Sequence, residues 1–330
     1  MYDVFKVSSL KPYPYGSILV TGGAGFIGSH IVDKLVAQNL EVTALDNLST
    51  GKLSNLSECD GKKNFRFIKE DLNNPEGIRK TLKNIDTIFH MAADPEVRTG
   101  FENPESSYKE NVRNTFFLLE EVRKSNVKKI VFASSSAVYG DATILPTPEN
   151  YGPLLPISAY GASKLACEAY VSSYCNNYGI QGIIIRPANV IGARGRHGVT
   201  WDFVNQLKKD SAKLVVLGDG KQTKSYIHIS DGVAGIFTCA EKSKNKVEIF
   251  NLGSQDKVEV ISIAKIVCKN MNLEKTKIVT TGGVDGGRGW VGDIKYAYLD
   301  ISKLKSLGWS PNISSAESVA LTTKEILNDI

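Results

Sequence analysis

One short segment constrains this chain more than any other: Thr21-Gly22-Gly23-Ala24-Gly25-Phe26-Ile27-Gly28. It follows an apolar run, Ser17 to Thr21, that reads as a short strand. It opens a segment in which Ile27, Ile31, Leu35 and Val36 recur at helical spacing. In a strand–turn–helix setting, glycines at 22, 25 and 28 permit a tight turn, admit a pyrophosphate close to the backbone, and let helix pack on sheet. The helix N-terminus adds free N–H groups and a positive dipole end for phosphates. Asp46 ends the second strand, eighteen residues beyond Gly28. An acid there accepts hydrogen bonds from the adenosine ribose hydroxyls and repels a 2′-phosphate, so the pattern predicts NAD rather than NADP. By analogy, Asp71 after the third strand is expected near the adenine amino group.

The rest of the first half keeps the same rhythm. Strands are expected at 41–45, 65–68, 86–90, 130–133 and 182–185, with long helices around 106–124 and 158–178. Six strands alternating with helices predict an α/β fold with a Rossmann-type, doubly wound parallel sheet. After Pro187 the segments shorten and become richer in glycine, with helices expected near 201–209, 231–240 and 260–271. The expected division is a dinucleotide-binding domain over 1–188, including an N-terminal arm over 1–16, and a smaller α/β substrate-binding lobe over 189–330. Part of that lobe is expected to pack back onto the sheet, and no linker separates the two.

Composition narrows the function class. The 330 residues suit two domains at roughly 150 each, and 42% hydrophobic with 23% charged residues excludes a disordered chain. A net charge of +5 spread over this length calls for no nucleic acid. The five cysteines, Cys59, Cys167, Cys175, Cys239 and Cys268, are scattered without a C-x-x-C pair. That pattern predicts reduced thiols in a cytoplasmic protein and no metal site. No run approaches a membrane span, and Met1 to Gly16 has no apolar signal-peptide core.

The chemistry concentrates in Tyr160-Gly161-Ala162-Ser163-Lys164. Tyr160 and Lys164 stand at i and i+4 of an expected helix, on one face. An ammonium beside a phenol stabilises the phenolate, so the pair predicts a general acid/base whose tyrosine pKa is pulled towards working pH. Ser134-Ser135-Ser136 ends the fifth strand, where a hydroxyl can orient a substrate oxygen. His90 at the end of an apolar strand reads as a hydrogen-bonded core histidine and His228 as structural, while His197 lies in a basic loop able to touch a nucleotide.

These residues carry a resemblance. From about Ser17 to Pro311 the chain is similar to extended short-chain dehydrogenases/reductases, and within them to nucleotide-sugar epimerases of the UDP-glucose 4-epimerase type, archaeal ones included. The resemblance rests on TGGAGFIGSH at 21–30, ALDNLSTG at 44–51, EDL at 70–72, HMAA at 90–93, SSSAVYGD at 134–141, YGASKLACE at 160–168, RPANVIG at 186–192 and LGDGKQTKSYIHISD at 217–231. It implies Ser135, Tyr160 and Lys164 as the catalytic group. It also implies cofactor contacts from Phe26, Ile27, Asn47, Ser49, Leu72, Met91, Ala92, Ala93, Asn111, Tyr160, Lys164 and Pro187, besides the glycines, Asp46 and Asp71. Substrate contacts are implied at Ser135, Ser136, Asn189, Val216, Lys224 and Arg288, with Lys224 standing where relatives usually carry arginine. A homodimer is implied through the two long helices, with Phe116, Phe117, Leu118, Leu119, Cys167 and Tyr170 as its candidate face.

One departure selects among related chemistries. Related 4,6-dehydratases carry an Asp-Glu pair, and decarboxylases a Glu, at the place of Ser136-Ala137. Ala137 has no carboxylate for a second proton transfer. The resemblance therefore implies a UDP-glucose/UDP-galactose 4-epimerase that oxidises C4 to a 4-keto sugar and returns the hydride from NADH to the opposite face. The alternatives are another nucleotide-sugar oxidoreductase (a 4-ketoreductase, or an epimerase of UDP-N-acetylhexosamine or UDP-uronate) and a non-catalytic NAD-binding sensor.

Overall fold

A computed structural model of the chain describes residues 16–96, 98 and 100–328. The expected N-terminal arm lies outside the described residues, apart from Gly16. The strands β1 (Ile18–Thr21), β2 (Val42–Asp46), β3 (Phe65–Lys69), β4 (Thr87–His90), β5 (Lys129–Ala133) and β6 (Gln181–Pro187) stand within a residue or two of their expected places. With Val247–Leu252 they form one seven-stranded sheet in the order 247–252, β6, β5, β4, β1, β2, β3. Every pairing in it is parallel.

A parallel sheet needs cover on both faces, and the apolar residues divide accordingly. Ile18, Val20 and Ala44 join the helix α1 (Phe26–Ala37) and the Ile229–Lys242 helix in one core. Leu19, Leu45 and Ile88 point the other way, into a core built with the Asn114–Val122 and Ala159–Tyr178 helices. The same alternation corrects the expected dimer face. Leu118, Leu119 and Cys167 are fully buried in that second core, so their helical phase turns them to the sheet. Phe116 and Tyr170 stay at the surface side, with ring centroids 5.6 Å apart.

The remaining residues build a smaller layer on short pairings. Asn189–Ile191 pairs with Tyr226–His228, and Lys213–Val216 pairs with Lys277–Thr280. Thr223–Lys224 lies between Val258–Glu259 and Tyr296–Ala297. The Val199–Lys209, Val260–Asn270 and Ser315–Asn328 helices bury Phe203, Ile263 and Val319 over these strands. No helix among the described residues is long and apolar enough to cross a membrane.

Candidate active site

The sheet order reverses between β1 and β4, and in such sheets ligands bind outside the carboxyl ends at that switch. The glycine turn lies there. Gly22 has φ +66, and a Cβ on it would stand 2.7 Å from the Ala92 backbone nitrogen. A Cβ on Gly28 would stand 2.0 Å from the Gly22 carbonyl oxygen. Only glycine lets the turn, α1 and the loop after β4 close this tightly. Gly25 precedes α1 without any side-chain cap, which leaves the first-turn N–H groups for a ligand. Asp46 is buried, and its carboxylate accepts from the Ala24 N–H at 3.0 Å and the Leu48 N–H at 2.8 Å. Burial pushes its carboxyl above the usual range against the pull of those backbone groups.

This cradle opens into a cavity of about 1240 Å³. One drug-sized ligand occupies roughly 300–1,000 Å³, so the volume suits a dinucleotide and a second ligand together. Gly22, Gly25, Phe26, Ile27, Gly28, Asp46, Asn47, Ser49, Leu72, Met91, Ala92, Ala93 and Pro187 line it. Asp71 and Asn111 do not. The Asp71 carboxylate accepts from Asn47 Nδ2 at 2.9 Å and the Asn73 N–H at 2.7 Å, which places it behind Asn47. Asn111 is buried within one wide helical turn, Tyr108–Arg113. Its side chain accepts from the Asp94 N–H at 2.8 Å and donates to Ser163 Oγ at 2.9 Å, tying the loop after β4 to the long helix.

The residues expected to be catalytic stand where β5 ends against the start of the Ala159–Tyr178 helix. Ser158 caps that helix by accepting from the Gly161 N–H at 3.1 Å. Gly161 packs so close that a Cβ there would meet the Ala137 carbonyl at 2.6 Å. Ser135, Tyr160 and Lys164 all line the cavity. Lys164 Nζ donates to the Ala133 carbonyl at 2.7 Å and sits 4.9 Å from the centre of the Phe132 ring. Burial lowers its pKa to about 8. Burial also pushes the Tyr160 phenol up to about 12, with the Ser135 hydroxyl acting in the opposite direction. The i, i+4 spacing alone predicted a lowered phenol. The difference arises because the ammonium is turned to Ala133 and the phenol is desolvated.

Of the expected substrate contacts, Ser136, Asn189 and Lys224 line the cavity, whereas Val216 and Arg288 do not. Lys224 Nζ pairs with the buried Asp293 carboxylate at 2.6 Å. The Arg288 guanidinium instead grips Asp141, with nitrogen–oxygen distances of 3.1 and 2.8 Å, and donates to the Asp293 carbonyl. Arg98 supplies a cation that sequence reasoning missed. It lines the cavity, pairs with Asp202 at 2.5 Å and lies 5.4 Å from the Trp290 ring centre. Lys224 lies 5.6 Å from the same ring. No spacing signal marks Arg98, because Trp290 and Asp202 reach it only through the fold. His197 also lines the cavity. His90 is buried between Thr21 Oγ1 at 2.7 Å and Thr115 Oγ1 at 3.0 Å, and His228 bonds Ser230 and Glu325.

Known proteins share this arrangement. The profile of the NAD dependent epimerase/dehydratase family matches residues 18–253. A Methanocaldococcus jannaschii protein provisionally named UDP-glucose 4-epimerase is 38% identical over 308 residues, covering 92% of this chain and 95% of its own. A crystal structure of a UDP-galactose 4-epimerase is also 38% identical, with a TM-score of 0.84, over 95% of this chain and 99% of that one. The UDP-glucuronic acid 4-epimerase from Bacillus cereus, solved with UDP-glucuronic acid and NAD, is 29% identical with a TM-score of 0.86, over 95% and 100% of the two chains. A glycine turn too tight for a Cβ at positions 22 and 28, a buried acid at the end of β2 and a match over most of the length agree: the chain belongs to the NAD-dependent epimerase/dehydratase family, with NAD as its cofactor.

Proposed function

We propose that this protein is a UDP-hexose 4-epimerase interconverting UDP-glucose and UDP-galactose. The observation that carries the reading is the wall beside Ser135: Ser136 and Ala137 line the cavity there, and neither offers the carboxylate that related dehydratases and decarboxylases use. The glycine turn, the uncapped start of α1 and Asp46 would hold NAD, which supplies a reversible hydride acceptor. Tyr160 takes the proton of the sugar O4 hydroxyl and gives it back after the sugar has turned. Ser135 hydrogen-bonds O4 and orients it. Lys164, whose ammonium donates to the Ala133 carbonyl in this structure, turns to the phenolate when it forms and stabilises it. Lys224 meets the diphosphate as a point charge, in exchange for part of its pairing with Asp293. Asn189, Ser136 and the backbone around Val216 complete the substrate contacts. The same reading makes the chain a cytoplasmic homodimer through its two long helices.

The test is to incubate the purified protein with UDP-glucose, UDP-galactose, their N-acetyl counterparts and UDP-glucuronate, adding no reductant, and to resolve products by NMR. Interconversion of the first two without net NADH is expected, with a loss of roughly 10³-fold in kcat for Tyr160→Phe. Turnover restricted to another sugar of the panel, or, in a separate assay supplied with NADH and a UDP-4-ketosugar, steady NADH consumption, would replace the reading by the corresponding oxidoreductase. Normal turnover by Tyr160→Phe would overturn the mechanism.

A further inference from the structure

Three consecutive residues at the end of β5 each meet a different turn of the Ala159–Tyr178 helix. The Ser135 hydroxyl faces Tyr160, and the Ala133 carbonyl accepts from Lys164 at 2.7 Å. The third contact runs from Ser134, whose hydroxyl donates to Glu168 Oε1. Tyr160, Lys164 and Glu168 stand at i, i+4 and i+8, so one helix face meets one tripeptide.

Glu168 is itself held without freedom. Arg186 in β6 donates to it twice, from Nε at 2.9 Å and from Nη2 at 2.6 Å. The remaining Nη1 of Arg186 donates to the Glu149 carbonyl at 3.2 Å, and its guanidinium lies 4.8 Å from the Tyr139 ring centre. Ser134, Glu168 and Arg186 are each less than 5% exposed. A buried ion pair is a poor way to gain stability, because desolvation offsets most of the attraction. Apolar side chains of the same volume would hold helix to sheet equally well. They would not orient a serine hydroxyl or place a negative charge one turn from Lys164.

We propose that Glu168 is a positioning residue for the catalytic group: through Ser134 it holds the Ser135 turn against Tyr160, and with Arg186 it sets the register of the helix on β5 and β6. The proposal rests on the epimerase reading for its kinetic consequences alone. Cys167 on the same helix and His90 from β4 are the other titratable groups that face Lys164. Both are neutral at pH 7, since burial raises the Cys167 thiol and holds His90 near 3. Among the described groups that act on Lys164, Glu168 is then the one locked by a buried guanidinium, one helical turn away.

Ser134→Ala leaves the Glu168–Arg186 pair intact and removes only the hydroxyl contact. Expected are a fall in kcat of about tenfold or more, KM within about twofold, and an unchanged thermal midpoint, since a small misplacement of reacting groups is costly. Ser134→Thr, which keeps the hydroxyl, should restore most of the rate. Unchanged kcat in Ser134→Ala, or a loss that Ser134→Thr fails to restore, would overturn the proposal.

A second measurement needs no turnover. Lys164 in the full-length protein is acylated with acetic anhydride across pH 6–10 and quantified by peptide mass spectrometry. In Glu168→Gln the midpoint for Lys164 should drop by about one pH unit relative to the unaltered chain. An unmoved midpoint would refute the electrostatic part. If the unaltered chain interconverts no UDP-hexose, the epimerase reading fails while this titration still decides the role of Glu168.

Discussion

Asp46 shows how much a single side chain decides. Its two oxygens already accept from Ala24 and Leu48, yet it lines the cavity and keeps lone pairs that, on the proposed reading, take two ribose hydroxyls. A 2′-phosphate brought to the same place would meet a buried carboxylate. Asp46→Asn keeps the shape and removes that repulsion. Fluorescence titration should show NAD binding weakened by about tenfold and the preference for NAD over NADP reduced by at least that factor. Unchanged discrimination would mean that another group reads the ribose. The glycines beside it are constrained more severely: at Gly28 the obstacle to any Cβ is backbone, which has no rotamer to yield.

The two long helices carry the expectation of a dimer, and their packing narrows the surface available. Phe116, Tyr170, Tyr174 and Tyr178 form a connected aromatic strip, with centroid separations of 5.6 Å for Phe116–Tyr170 and 5.3 Å for Tyr174–Tyr178. Tyr170 is 40% and Tyr178 49% exposed, which is costly for large rings unless something covers them. A second copy of the same helix pair is the occupant proposed above. Sedimentation velocity should find the unaltered chain at twice the monomer mass and Tyr170→Glu at the monomer mass with its far-UV circular dichroism preserved. A monomeric unaltered chain would remove the helix pair as an interface. The glycine-rich segment 282–292 behaves differently from its sequence expectation. Arg288 is spent on Asp141, and Trp290 and Gly292 are what the segment brings to the cavity wall.

Taken whole, the molecule stores a pH dependence in its core. His90 sits beneath the cleft with both ring nitrogens bonded to threonines, and burial holds its pKa near 3. In the unfolded chain the same ring takes up a proton below about 6.5, whereas the native ring does not. Stability from this group is therefore complete above pH 6.5 and is lost progressively as pH falls towards 3. At pH 5 the loss amounts to about 2 kcal/mol. Urea unfolding should show the stability gap between the unaltered chain and His90→Asn narrowing by about that amount from pH 7 to pH 5. A constant gap would mean that the native ring protonates in place.

What could be read from the chain alone was what is local in it. A glycine turn is recognisable because its three glycines and the flanking strand and helix all lie within residues 18–37. Tyr160 and Lys164 are recognisable because helical geometry alone puts i and i+4 on one face. The central strands β1 and β4 show as short apolar runs because both their faces are covered, whereas the edge strand β3 alternates. Tertiary structure decided everything that depends on distant partners. Arg288 and Asp141 are 147 positions apart, and Arg98, which lines the cavity, is paired with Asp202 at a separation of 104. The charge state of Tyr160 also waited on the fold. Spacing puts an ammonium on the same helix face, but the fold turns it to Ala133 and desolvates the phenol, and no sequence pattern records how much water the surrounding walls exclude.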